Sequence, residues 1–130
     1  MTKKIVRGAV AIMRGKEKTL TLGNLKIERD WGWAPEYVEA MWRMLQAKKA
    51  DDYVVATGQS HSLQQFVKEC FCLLGLDWRR HVVVSPSLYR PTDLVKSAGN
   101  PSKIKNRLGW EAKTGFHEII QEMIKAELEP

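Results

Sequence analysis

Few side chains in this 130-residue chain have the types and surroundings for chemistry, and those that do are better suited to holding a ligand than to transforming one. Arg29 and Arg90 each offer a planar fork of donors that matches a phosphate or a nucleobase edge. Asp93 can accept hydroxyls from a sugar, and Lys4, near a helix start, can add a positive charge. A purely structural reading accounts for the same residues, with Arg29 and Asp30 in ion pairs and Arg90 solvating a proline-rich loop.

Bond-making groups are harder to find. His61, His81 and His117 stand far apart, without metal-ligand spacing and without a nucleophile beside any of them, so they read as surface or supporting residues. A tyrosine with a lysine four residues later would serve proton transfer, but Tyr37 meets Met41, Tyr53 meets Thr57 and Tyr89 meets Asp93. No Gly-x-Gly-x-x-Gly follows a strand and no phosphate loop occurs, so a complete nucleotide-binding fold is not encoded. Cys70 and Cys72, two apart on a predicted helix, point to different sides and make neither a disulfide nor half of a zinc site. The expectation is therefore no catalytic residue, no metal and no cofactor for this chain alone.

The elements that would position these groups follow from hydrophobic spacing. Thr2 can cap a helix carrying Ile5, Val6, Ala9, Val10 and Met13 on one face and stopping at Gly15. Residues 19–22 read as a strand, and alternation from Leu25 to Trp31 predicts a second extended piece that turns Arg29 and Asp30 to opposite faces. Pro35 suits the first turn of a helix with the apolar stripe Val38, Met41, Trp42 and Leu45. Residues 52–56 read as a strand. Ser62 with Gln65 forms a capping box for a helix that buries Leu63, Phe66, Val67, Cys70 and Leu74 and ends at Gly75. Residues 81–84 predict another strand, and Pro86 and Pro91 bracket a loop. Asn100 and Pro101 start a short helix that ends near Gly109, and a last helix runs from about Thr114 to Leu128.

Hydrophobic residues make up 44% and charged residues 28%, a globular balance that supports one core. No run has the apolar length of a membrane span, and the first ten residues lack a signal-peptide core, so a cytoplasmic setting is expected. The formal charge of +6 suits a polyanion or an acidic small molecule, but the basic residues are spread along the chain without a zinc finger, stacking motif or recognition helix, which disfavours nucleic acid.

Longer stretches carry a resemblance. TKKIVRGAV at 2–10, LGNL and RDWG within 22–32, YVEAMWRMLQ at 37–46, DYVVATG at 52–58, HSLQQFV at 61–67, RPTD at 90–93 and NPSKIKNRLGW at 100–110 occur in the order and spacing of the GDP-mannose 4,6-dehydratases. The chain resembles the carboxy-terminal, substrate-binding part of these extended short-chain dehydrogenases/reductases. The resemblance implies a small, mostly helical α/β domain with short strands, spanning 1–130 as a single truncated substrate-binding-like domain without the main dinucleotide-binding fold. The glycine-rich turn, the catalytic threonine and glutamate and the tyrosine-lysine pair would all precede Met1. In the family the full enzyme oxidises the mannose at C4 with bound NADP, eliminates water across C5 and C6 and returns the hydride to C6, giving a precursor of GDP-fucose.

Carried over by the resemblance, Lys4 and Arg29 match contacts to the diphosphate and nucleotide side of a GDP-sugar. Arg90 matches the pocket arginine of an Arg-Pro-Thr/Ala-Glu motif, Asp93 the glutamate that would hold ribose hydroxyls, and Asn24 and Val6 further pocket-lining positions. Asp30 to Gly32 are expected to hold the loop's shape. The chain departs from the family at Trp33, at Pro35-Glu36 in place of lysine-aspartate, at Asp93, at Asn100 and in a contraction between Trp78 and His81.

Three readings follow. As a dehydratase fragment inactive alone, the chain needs an amino-terminal partner and exposes an apolar surface involving Val38, Met41 and Trp42. As a self-standing nucleotide-sugar-binding or oligomerisation module it has a closed core and a pocket at Arg29 and Arg90. As a degenerate remnant it hides the old domain surface by self-association.

Overall fold

The computed structural model describes residues 1–90, 92 and 94–129. The chain runs α1 (Thr2–Met13), β1 (Leu20–Leu22), β2 (Glu28–Arg29), α2 (Ala34–Leu45), β3 (His61–Ser62), α3 (Leu63–Leu73), α4 (Trp78–His81), β4 (Val82–Val84), a 3-10 turn (Pro86–Leu88), α5 (Ser102–Leu108) and α6 (Phe116–Leu128). It is a mostly helical α/β domain, as expected. No helix among the described residues is long and apolar enough to cross a membrane.

The principal core lies where α1, α3 and α6 pack together with β1. From α1 it takes Ile5, Val6, Ala9, Val10 and Ile12. Met13 lies 40% exposed, and Ile12 turns inward in its place. Gly15 then takes a left-handed φ of 71°, a conformation that releases the chain from the helix at little cost for glycine alone. In α3 the expected capping box is formed: Gln65 N–H donates to Ser62 Oγ at 3.1 Å and Ser62 N–H donates to Gln65 Oε1 at 2.7 Å. Phe66, Val67, Cys70 and Phe71 are fully buried below it. Burial pushes the Cys70 thiol up to about 12, while Cys72 is exposed. Trp31, Phe66 and Phe116 pack ring against ring at 5.5–5.9 Å, tying the β2 end to α3 and α6.

Two small sheets flank this core. β1 pairs in parallel with β4, Leu20 opposite Val82 and Leu22 opposite Val84. β2 pairs antiparallel with β3, Arg29 opposite His61. Residues 94–97 lie along the other side of β2, where Glu28 N–H donates to Val95 O at 2.7 Å and Ser97 N–H donates to Glu28 O at 3.0 Å.

Three expectations are corrected. Thr2 is the first residue of α1 rather than its cap; Met1 holds the cap position and no side chain bonds there. Residues 52–56 form no strand; their alternate side chains Tyr53 and Val55 pack on a second cluster, and Ala56 is buried against Gly99, where an added Cβ would lie 2.3 Å from that of Ala56. Burial by side chains replaces a ladder there. His81 closes the turn of α4 rather than opening β4, and its Nδ1 lies 3.0 Å from Lys18 O.

The second cluster takes Ala40 from α2, Ile104 from α5 and Trp110 from just beyond α5. Two carboxylates join it to the rest. Asp30 accepts from Thr57 N–H at 3.0 Å, Thr57 Oγ1 at 2.7 Å and Gly58 N–H at 2.8 Å. Glu36 Oε1 accepts from Lys113 N–H, Thr114 N–H and Thr114 Oγ1 at 3.0–3.1 Å, while Trp110 Nε1 donates to the Glu36 carbonyl at 3.1 Å. The Pro35-Glu36 departure noted in the sequence thus serves both ends of α2's first turn, the proline preset for the helix and the glutamate tied to the chain ahead of α6.

Hydrogen bonds to a charged partner contribute about 1.5–3 kcal/mol each when intact, less when partly exposed. Asp30→Ala is therefore expected to cost about 2–3 kcal/mol in urea unfolding, with Asp30→Asn losing less because one acceptor oxygen remains. Tyr37 supplies a pH test. Burial, then the nearby charges of Asp30 and Glu36, raise its phenol above the usual value of 10.0. The folded state holds this proton more tightly than the unfolded chain does, so the contribution is complete below about pH 10 and is lost as pH climbs past it. Absorbance titration at alkaline pH should show one tyrosine ionising after the others, and Tyr37→Phe should abolish that late step.

Candidate functional site

The two parallel strands β1 and β4 deliver the chain to the same end of their sheet, the position where open α/β sheets place ligands. Ser85 N–H donates to Leu22 O at 2.8 Å, and Gly23 lies so close to the 3-10 turn that a Cβ on it would sit 2.9 Å from Leu88 O. Asn24 follows directly, its Oδ1 accepting Lys26 N–H at 2.9 Å in a turn that fixes the exit from β1. Arg90 is exposed one residue beyond Tyr89, whose N–H donates to Pro86 O.

Arg29 reaches the same returning segment from the other side. Its Nη1 donates to Glu28 O at 2.7 Å and to Leu94 O at 2.8 Å. The segment that bears Arg90 is therefore held at Pro86–Leu88 beside β1 and at residue 94 beside β2. Asp93, expected to contact a ribose, lies outside the described residues. Lys4 bridges α1 to β1, its Nζ donating to Thr21 O at 3.0 Å. Val6 is 1% exposed within the principal core.

The structure thus brings Asn24, Arg29 and the Arg90 segment around the ends of β1, β4 and β2, with Lys4 at the flank of β1. A groove of about 520 Å³ between α1 and β1 is lined by Lys4 with Arg7, Arg14, Lys16, Glu17 and Glu127, and includes none of Asn24, Arg29 and Arg90. Its cations are largely engaged: Arg7 lies 3.5 Å from Glu127, and Arg14 donates to Leu128 O at 3.2 Å. Reading the basic residues as spread along the chain overlooked this concentration, since Lys3, Lys4, Arg7, Arg14, Lys16 and Lys18 face only Glu17 within the first eighteen residues. A running charge sum would have found it.

The histidines occupy separate structural contacts. His61 stacks on Phe116 at 4.0 Å between centroids, His81 meets the Lys18 carbonyl and His117 pairs with Glu69. Among the described residues no group of three or more His, Cys, Asp or Glu side chains gathers as a metal site. Nor do they contain a doubly wound sheet: each of the two sheets has two strands, and no glycine-rich turn joins a strand to a helix. The chain's own residues do not fit a dinucleotide cofactor.

Comparison with known proteins accounts for this partial site. The family model described as GDP-mannose 4,6 dehydratase matches residues 1–123. GDP-mannose 4,6 dehydratase 1 of Arabidopsis thaliana is 44% identical over 129 residues, covering 99% of this chain and 36% of the relative. The human GDP-mannose 4,6 dehydratase is 37% identical over 146 aligned positions, covering 99% of this chain and 39% of its own. The longer alignment requires gaps in this chain, in keeping with a contraction relative to some members. In fold, it is similar to RMD from Pseudomonas aeruginosa complexed with NADPH, with a TM-score of 0.87 at 15% identity over 97% of this chain and 41% of that one. UDP-glucose 4-epimerase from Bifidobacterium longum, in complex with NAD+ and UDP, gives 0.81 at 17% identity over 98% and 39%. The chain spans about two fifths of the length of the relatives it matches, and over that span it belongs to the GDP-mannose 4,6-dehydratase family.

Proposed function

We propose that this chain is the GDP-sugar-binding portion of a GDP-mannose 4,6-dehydratase and is inactive without the part that supplies cofactor and catalytic residues. The observation that carries this reading is the family match over residues 1–123 in a chain whose own residues offer no dinucleotide site. The substrate is a GDP-sugar, GDP-mannose in the first instance, and the remainder of the enzyme brings NADP.

In this reading Arg29 and Lys4 neutralise the diphosphate, Arg90 closes on the nucleotide and Asp93 accepts ribose hydroxyls. Asn24 shapes the wall beside β1. Val6, being buried, contributes through the placement of α1 rather than through an exposed side chain. The Glu28 and Leu94 carbonyls hold the Arg29 guanidinium in a fixed position beside β2. Asp30 acts at one remove, by holding residues 57–58 beside β2.

The exposed stripe Val38, Met41, Trp42 and Leu45 favours a fragment over a self-standing module, because a module would have covered it. Self-association over that stripe is what a remnant would use instead. Mass in solution separates the two.

Calorimetric titration with GDP-mannose, GDP and unrelated nucleotides tests the binding role. Saturable, GDP-selective binding is expected, weakened roughly 10- to 100-fold in Arg90→Ala, the range of one charge-assisted hydrogen bond. Arg29→Ala should weaken it too, but with some loss of stability from the freed carbonyls, whereas Arg90→Ala should leave unfolding unchanged. Absence of binding by the folded monomer would remove the binding role. NADP-dependent conversion of GDP-mannose by the pure chain would overturn its inactivity.

A further inference from the structure

We propose that the open edge of β1, with the basic groove beside it, is a docking site for an extended acidic segment of a partner protein, added as a strand. Among the described residues β1 has β4 as its one strand partner, in parallel. A residue in a parallel ladder gives both of its backbone groups to the same neighbour, and Ser85 N–H donates to Leu22 O. Leu20 and Leu22 therefore face β4, and Thr21 turns its N–H and C=O to the other edge. On that side Thr21 O is met by a side chain, Lys4 Nζ at 3.0 Å, and not by a strand. Thr19 and Thr21 are both exposed, and with α1 they line the groove of about 520 Å³.

Charge selects the occupant. The α1 wall presents Lys4, Arg7 and Arg14 at i, i+3 and i+10, with Lys16 in the turn that follows, against Glu17 and Glu127. From Lys4 to Arg14 is about 15 Å along the helix axis. An extended segment rises ~3.3 Å per residue and repeats its side chains on one face every ~6.6 Å, so about five residues with acids at alternate positions match that wall. Arg7 lies 3.5 Å from Glu127 with its own side chain 66% exposed, a surface pair that an incoming carboxylate exchanges at little cost. Lys4 guards the edge in the same exchangeable way, its ammonium passing from the Thr21 carbonyl to an acid as the new strand takes its place. A nucleic acid is the poorer fit, since the groove's apolar lining is Val10, Ala11 and Leu20, with no aromatic ring among its residues to stack a base. Of the residues assigned to the GDP-sugar this site uses Lys4 alone, and it stands whether or not that reading does.

The test titrates a dye-labelled peptide of alternating glutamate and threonine with the full chain, beside a lysine-threonine counterpart and an oligothymidylate of equal charge. Saturable binding of the acidic peptide is expected, weakened at least ~10-fold by Lys16→Glu and by Arg14→Gln, with the thermal midpoint of Lys16→Glu unchanged. Hydrogen exchange reads the edge directly: the peptide should slow exchange at the Thr21 amide at least ~10-fold and leave Leu20 and Leu22, already paired with β4, as they were. Methylating the backbone nitrogens of the peptide's glutamates alone, or of its threonines alone, should abolish binding in one pattern and spare it in the other, because one parity faces β1. No saturable binding, an unmoved Thr21 amide or equal effects of the two methylation patterns overturns the proposal. Equal binding of the lysine counterpart removes the charge selection and overturns it too, and oligothymidylate binding as tight as the peptide's overturns it in favour of a general polyanion surface.

Discussion

The Asp30 carboxylate is the point on which the arrangement turns. It follows β2 directly and takes both backbone N–H groups of the 57–58 turn along with the Thr57 hydroxyl. That one side chain fixes where the chain enters β3 and hence the start of α3. It also fixes where the chain leaves β2 toward α2. Six residues later Glu36 repeats the device on residues 113 and 114 ahead of α6. Two hydrophobic clusters that share no helix are thereby set in a definite relation by acceptor geometry, which is directional where apolar packing is not. An arginine placed on the neighbouring residue inherits that precision.

What could be read from the sequence was what is local. The apolar faces of α1, α3 and α6, the Ser62–Gln65 box and the glycine stops at Gly15, Gly75 and Gly109 all depend on residues within one or two turns, and each is found. What depends on distant partners was less legible. Residues 52–56 have strand composition, yet their neighbours offer side-chain contacts instead of a ladder, and nothing within five residues encodes that. His81 reads equally well as a strand start or as the end of a helical turn until Asp77 is seen capping Trp78–His81. The site was legible mainly through resemblance. Arg29 and Arg90 look alike as isolated arginines, and only the pairing of β2 with residues 94–97 reveals that one is anchored to the segment that carries the other.

The stripe on α2 shows how a single pattern supports opposite conclusions. Apolar residues at i, i+3, i+4 and i+7 state that a helix has something to cover. They do not say whether the partner lies in the same chain. In α1 the pattern points at α6 and the core; in α2 it points away, and burial falls instead to the small Ala40.

The packing of α1 on α6 governs when this structure can exist at all. Arg14 reaches the Leu128 carbonyl across 114 residues of sequence, and Arg7 reaches Glu127. The helix α1 must therefore keep its apolar face unoccupied until α6 has emerged. Folding from one end by accretion is closed to such a chain. The same contacts tie residues 7 and 14 to residues 127 and 128, so a cut anywhere between α1 and α6 leaves each piece with half of one core.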